Sequence, residues 1–204
     1  MHTSRLLLFL IGFCCSLGAA PPVLSAPASP PSLKKGVFLI ATTKLHGTSF
    51  EKSVILLTEY GAHGAMGLAI NRPTTIPLTD VVPELKDHAN SANARIYLGG
   101  PVHPMAIIFL ARSSTPLDGG VPVFRDIFIG GGLEGLKGAL ALPQDQGKKV
   151  QTYSGYAGWA PNQLENEIAR GDWVISIADP EDIFNNDIHT LWQKLSRKWS
   201  GQWI

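Results

Sequence analysis

An α+β fold built on a mixed, mostly antiparallel sheet is the class this sequence predicts. Three observations lead there. Short, nearly unbroken apolar runs recur at Gly36–Ala41, Ser53–Thr58 and Gly64–Ile70, as expected of strands covered on both faces. About ten residues separate the first two runs and a tight turn near Gly61 separates the next two, so they read as hairpin-like neighbours. Later strand-like runs are interspersed with helical stretches, which favours α+β.

Beyond the third run, Asn71-Arg72-Pro73 stops the chain, and Leu78–Val82 is at most a short helix ended by Pro83. Asp87–Asn93 reads as polar loop. Arg95–Leu98 is a strand entering Gly99-Gly100-Pro101, and Met105–Ala111 is a strongly apolar strand. Thr115–Gly120 is a turn, with Asp118-Gly119-Gly120 suited to positive φ. Val121–Ile129 holds one or two strands, Leu133–Leu142 a helix, and Lys149–Tyr153 an alternating strand.

The segment Gly155-Tyr156-Ala157-Gly158-Trp159-Ala160-Pro161 is expected to lead into a helix over Pro161–Arg170, with Pro161 at its first position. Leu164 and Ile168 face inward in that reading, and Gly171 ends the helix. Trp173–Ile177 is a last strand. Asp179-Pro180-Glu181-Asp182 has cap, proline and acidic first turn in order for a short helix, and Thr190–Ser200 is a final one.

The N-terminus reads as a secretory signal over residues 1–26. A single charge at Arg5 precedes an apolar stretch over Leu6–Leu17, and Ala26-Pro27-Ala28 offers a small-x-small cleavage site. The apolar run is short for a span of about 20 residues, and an uncleaved anchor is the alternative. A Pro- and Ser-rich spacer, expected to be disordered, covers 27–35, leaving one domain over 36–204. Cys14 and Cys15 both fall in the leader, so the exported chain would have neither disulfide nor thiolate chemistry. The full chain carries 17 Lys and Arg against 16 Asp and Glu. Loss of Arg5 brings the charge to zero, which offers nothing to draw nucleic acid or an anionic membrane.

Chemistry-bearing patterns are few. Gly130-Gly131-Gly132-Leu133-Glu134-Gly135 has dinucleotide-fingerprint spacing, but the acid expected about 20 residues on is missing and the motif sits late in the chain. A tight strand-to-helix turn is the better reading, and no cofactor is expected. His46, His63, His88, His103 and His189 lack metal-site spacing and read as loop or surface residues. Ser154 has Thr152 where a nucleophile elbow needs glycine. Glu165 and Glu167 suit the positive end of a helix dipole better than an acid–base pair. The acids over Asp179–Asp187 lack calcium-loop spacing. Trp192, Leu195 and Trp199 recur at helical spacing, as in a helix docked on the core, with Lys194, Arg197 and Lys198 on its other faces.

What remains is a candidate ligand cleft of Asn71, Arg72, Gly99, Gly100, Tyr156, Trp159 and Gln163, combining backbone-constraining residues with one cation and an aromatic wall. Two plainer alternatives stand beside it: Arg72 pairs with a nearby acid, and Trp159 is buried core. An unknown small molecule or protein is the expected partner.

Ordered blocks along the chain resemble the YqgE/AlgH family of small bacterial proteins. The carrying residues are Lys35–Ala41, Phe50–Leu57, Gly64–Pro73, Gly99–Val102, Gly155–Trp159 running into Gln163-Leu164-Glu165, and Trp173. The resemblance implies a single α+β domain with a coiled mixed sheet. It brings no established enzyme activity, cofactor or catalytic residue, which points to a binding or accessory module. A label of transcriptional regulator travels with the family. An enzyme with an unfamiliar site near Arg72 and Trp159 is the other reading. The leader is a departure, because family members usually begin close to the first strand.

Overall fold

In a computed structural model of the chain, residues 31–88, 90–143, 150–184 and 187–197 are described. The leader and the ends of several predicted segments (Lys149 and Lys198–Ser200 among them) lie outside the described residues. The strands are β1 (Val37–Ala41), β2 (Val54–Gly61), β3 (Gly64–Ala69), β4 (Pro73–Pro77), β5 (Arg95–Leu98), β6 (Val102–Arg112), β7 (Gly120–Phe124), β8 (Ile127–Gly131), β9 (Val150–Trp159) and β10 (Trp173–Ile177). The helices are α1 (Leu78–Val81), α2 (Leu133–Leu140), α3 (Gln163–Ala169), α4 (Pro180–Ile183) and α5 (Leu191–Arg197).

The strands form one sheet in the order β10-β1-β2-β3-β9-β6-β8-β7, with β5 parallel to β9 and β4 paired to β5. The other pairings are antiparallel, so the sheet is mixed and mostly antiparallel. β9 organises it. Thr152–Ser154 pair with β5, Ala157–Trp159 pair with β3, and β6 runs along much of the same strand.

The strand bends where two chains cross at close quarters. Gly155 has φ +68, and a Cβ on Gly100 would lie 2.2 Å from the Tyr156 carbonyl carbon. No L side chain is accommodated at that distance, so the crossing requires glycine.

Both faces of the central strands are covered. All five residues of β1 are buried. Phe38 and Ile40 join Leu56, Leu68, Tyr153 and, from α5, Leu191 and Leu195 on one side. Val37, Leu39 and Ala41 join Ile55, Leu57, Trp159, Trp173 and Leu164 on the other. A third cluster packs Leu136 and Leu140 of α2 against Phe109 and Ile96. Leu33 packs on the second cluster, and Lys35 Nζ donates to Pro122 O at 3.1 Å.

Four predicted segments need correction. The run Gly155–Trp159 is the second half of β9, not a loop into a helix. Gly155, Ala157 and Trp159 are buried while Gly158 is exposed, and pairing partners on both edges hold the run extended. Helix α3 consequently starts at Gln163; Asn162, at φ 64, is its N-cap and Pro161 lies in the turn before it. Finally, Pro73–Pro77 continues as β4, and the next strand begins at Val102 rather than Met105. β4 pairs with β5 alone, and an edge strand tolerates two prolines whose missing N–H groups face away from the ladder. Gly130 and Gly131 end β8, and Gly132, the N-cap of α2, makes the turn between strand and helix. Asp179 caps α4 by accepting the Glu181 N–H at 3.2 Å.

Candidate anion site at Arg72

Arg72 follows the end of β3 and is held there from both sides. The preceding residue, Asn71, accepts the Val54 N–H at 2.8 Å and donates to Lys52 O at 2.9 Å, clamping the start of β2. Arg72 O accepts the Leu98 N–H at 2.9 Å, which ties the same turn to β5. Its guanidinium Nη2 donates to Glu51 O at 3.0 Å. Among the described residues, no carboxylate lies within ion-pair distance of it. The sequence alternative of an acid partner is therefore not realised: Arg72 meets a neutral carbonyl.

The nearest acid is already committed elsewhere. Glu51 accepts the Gly47 N–H at 3.0 Å, approaches His46 Nδ1 at 3.0 Å and lies 3.7 Å from Lys52 Nζ. The Gly47 N–H, followed by the His46 contact, lowers the Glu51 pKa below 4.5. Burial pulls the Arg72 pKa below its usual value, partly offset by the Glu51 charge. A guanidinium remains charged under such shifts. A half-buried cation thus faces a small depression of about 230 Å³ lined by Glu51, Lys52, Asn71, Arg72, His189, Trp192 and Gln193. Lys52 adopts φ 54, a costly conformation for a non-glycine residue that aims the loop at this point.

Of the other cleft candidates, Gly99 and Gly100 lie near this turn but serve the backbone. Gly99 N–H donates to Ser154 O at 2.9 Å, and its carbonyl accepts the Ala69 N–H at 2.8 Å. Tyr156 and Trp159 line a different depression, of about 430 Å³, with Glu59, His63 and Val102. Trp159 pairs with Ala65 at the start of β3, whereas Arg72 lies past its end, roughly 20 Å away at about 3.3 Å per strand residue.

The end of β3 near Trp159 is an aromatic knot. Trp159, 6 % exposed, stacks on Phe50 with ring centroids 6.5 Å apart, and Trp173 meets both rings edge-on. Glu167 Oε2 accepts the indole N–H of Trp159 and that of Trp173, each at 2.8 Å. Gln163 Nε2 donates to the other oxygen at 2.9 Å, while Gln163 Oε1 accepts the Ala160 N–H at 3.1 Å. Glu165 takes the Tyr60 hydroxyl at 2.7 Å. Both glutamates of α3 are thereby engaged in positioning aromatic groups, and Trp159 is packed as core with its polar tip satisfied.

Sequence reasoning missed Glu51, Lys52, His189, Trp192 and Gln193 as companions of Arg72. The available signal was the close pairing of β2 and β3, which places the residues before β2 beside those after β3. His189 and Gln193 had none, since α5 reaches the site only through tertiary packing. Among the described residues, no cluster of His, Cys, Asp or Glu is arranged to hold a metal ion, and no helix is long and apolar enough to cross a membrane.

The coiled sheet with a few short helices defines a class of single-domain α+β protein with solved examples. An AlgH protein from Pseudomonas aeruginosa superposes with a TM-score of 0.64 at 26 % identity, covering 88 % of this chain and 94 % of that one. A Corynebacterium diphtheriae protein shares the fold with a TM-score of 0.69 at 20 % identity, over 84 % and 90 % of the two chains. The profile of the AlgH-like family matches residues 38–204, and the chain belongs to that family. Relatives named UPF0301 protein include one from Cytophaga hutchinsonii, 31 % identical over 84 % of this chain and 92 % of its own length. One from Mycobacteroides abscessus is 32 % identical over 83 % of each chain. The molecular function of this family is not established.

Proposed function

We propose that this protein is an exported binding module that takes a small anionic group, a carboxylate or a phosphate, at Arg72. The observation that carries the reading is the half-buried guanidinium whose hydrogen-bond partner is a neutral carbonyl, in a polar depression shared with Lys52 and His189. Burial weakens the competition of water for such a cation, and a guanidinium presents donors matched to both oxyanions. The depression suits a single oxyanion group; nucleotide-sized ligands need the larger pockets of about 300–1,000 Å³.

Titration with phosphate and with acetate, followed by the amide resonances of Lys52, Arg72 and His189, tests this. Saturable shifts confined to these residues and lost in Arg72→Gln support the site. Shifts that persist in the folded variant sink it.

Export rests on the charged start, short apolar run and Ala26-Pro27-Ala28 of the leader. N-terminal sequencing after cell fractionation should find a chain starting between Ala26 and Pro31, whereas an intact Met1 in the cytosol would overturn export. A direct DNA-binding regulator is the weaker reading, because a net charge of +1 gives little electrostatic affinity for a polyanion.

A further inference from the structure

A third cavity, of about 500 Å³, opens between β1, β10 and α5. Its floor is apolar: Ile40 and Ala41 are buried, and Val174 and Trp192 form the walls. Trp192 donates its indole N–H to Ala41 O at 2.8 Å, so its polar tip is satisfied and the ring is left as an apolar wall. The rim is different. Lys44 and Arg197 line it, together with the hydroxyl-bearing Thr42, Thr43 and Ser196.

The rim is also fixed. Thr42 Oγ1 donates to Gly171 O at 2.8 Å and the Thr42 N–H to Asp172 O at 2.9 Å. Lys44 Nζ donates to Arg170 O, which holds the ammonium over the same turn with further N–H bonds to give. An apolar floor under a cationic rim is complementary to a molecule with a hydrocarbon chain and an anionic head, and the volume falls within the range of small-molecule sites. We propose that this cavity binds an anionic amphiphile, its chain against Ile40, Val174 and Trp192 and its head at Lys44 and Arg197. The site is separate from the Arg72 depression except for Trp192, which lines both.

Binding of dodecanoate, butanoate and 1-dodecanol, each below its aggregation concentration, tests the proposal through the Trp192 indole N–H resonance. Dodecanoate should shift that resonance saturably and bind more than 100-fold more tightly than butanoate, because each buried methylene strengthens binding about fourfold. Dodecanol should bind about tenfold more weakly than dodecanoate. The double variant Lys44→Met, Arg197→Gln should bring the two probes level.

Ser196→Trp fills the cavity from α5 and should weaken dodecanoate at least tenfold while leaving acetate binding at Arg72 unchanged. Should that variant fail to melt cooperatively, Thr43→Trp fills it from the opposite rim. Undiminished dodecanoate binding in a folded filling variant would overturn the cavity assignment. Equal affinity for dodecanol and dodecanoate in the parent protein would overturn the role of the cations.

Discussion

Trp159 and Trp173 donate their indole N–H groups to one and the same oxygen, Oε2 of Glu167, each at 2.8 Å. The carboxylate joins β9, β10 and α3 at a single atom, and Phe50 packs against both rings. Glu167→Ala strands two donors at the edge of a packed cluster. A hydrogen bond to a charged group contributes about 1.5–3 kcal/mol, and an unmet buried donor costs a similar amount. We expect a loss of about 2–3 kcal/mol, read as a drop in Tm of roughly 4–12 °C for a chain of this size. A Tm within a degree of the parent would show that water replaces the carboxylate without cost.

Removing a ring from the same knot should cost more than removing the carboxylate. Trp159→Ala is expected to destabilise by about 3–5 kcal/mol through the cavity it leaves. Arg72→Ala, at a position that hydrogen-bonds a carbonyl at a polar rim, should stay within about 1 kcal/mol while abolishing anion binding. Urea denaturation of both variants separates the two roles. Equal destabilisation would place Arg72 among the structural residues.

Two glycine-to-alanine changes should have opposite signs. At Gly100 a Cβ would sit 2.2 Å from the Tyr156 carbonyl carbon and 2.4 Å from the Ala157 nitrogen, so backbone must move. A loss of at least about 3 kcal/mol is expected, comparable to the strongest packing defects. At Gly138, within α2, a Cβ meets nothing within 4 Å, and alanine should stabilise by about 0.5–1 kcal/mol through helix propensity. Thermal melts of the two variants decide it.

Glu51 predicts a pH dependence. Its folded pKa is lowered from 4.5 by the Gly47 N–H and by His46. A carboxylate with a depressed folded pKa contributes stability that is fully present above its unfolded value and is lost as pH falls through the folded one. Glu51→Gln should therefore be less stable than the parent at pH 7, with the gap closing below about pH 4.5. A gap that persists unchanged at pH 3 would mean the glutamine loses packing rather than charge.

The strands were legible wherever burial on both faces left a continuous apolar run, as in β1 and β2, and the caps of α4 were legible from Asp179 and Pro180 alone. The end of β9 was not. Its glycines look like a loop until β3 and β6 are known to flank it, because glycine carries no strand preference and extended pairing there is imposed from outside. β4 escaped for a related reason, since Pro73 and Pro77 are compatible with a strand only at an edge, and edge position is a tertiary property.

The same division runs through the site. From its residue types alone, the chain determined that Arg72 follows a strand end, that Gly99-Gly100 allows a close crossing, and that two tryptophans flank one helix. Spatial pairing decided the rest. The register of β3 against β9 sends Arg72 and Trp159 to opposite ends of one strand, and the docking of α5 brings His189 and Gln193 to Arg72. Those contacts join residues ninety or more positions apart. No local pattern encodes them, because the first arises from backbone pairing between distant strands and the second from burying the apolar faces of α5 and β1 against each other.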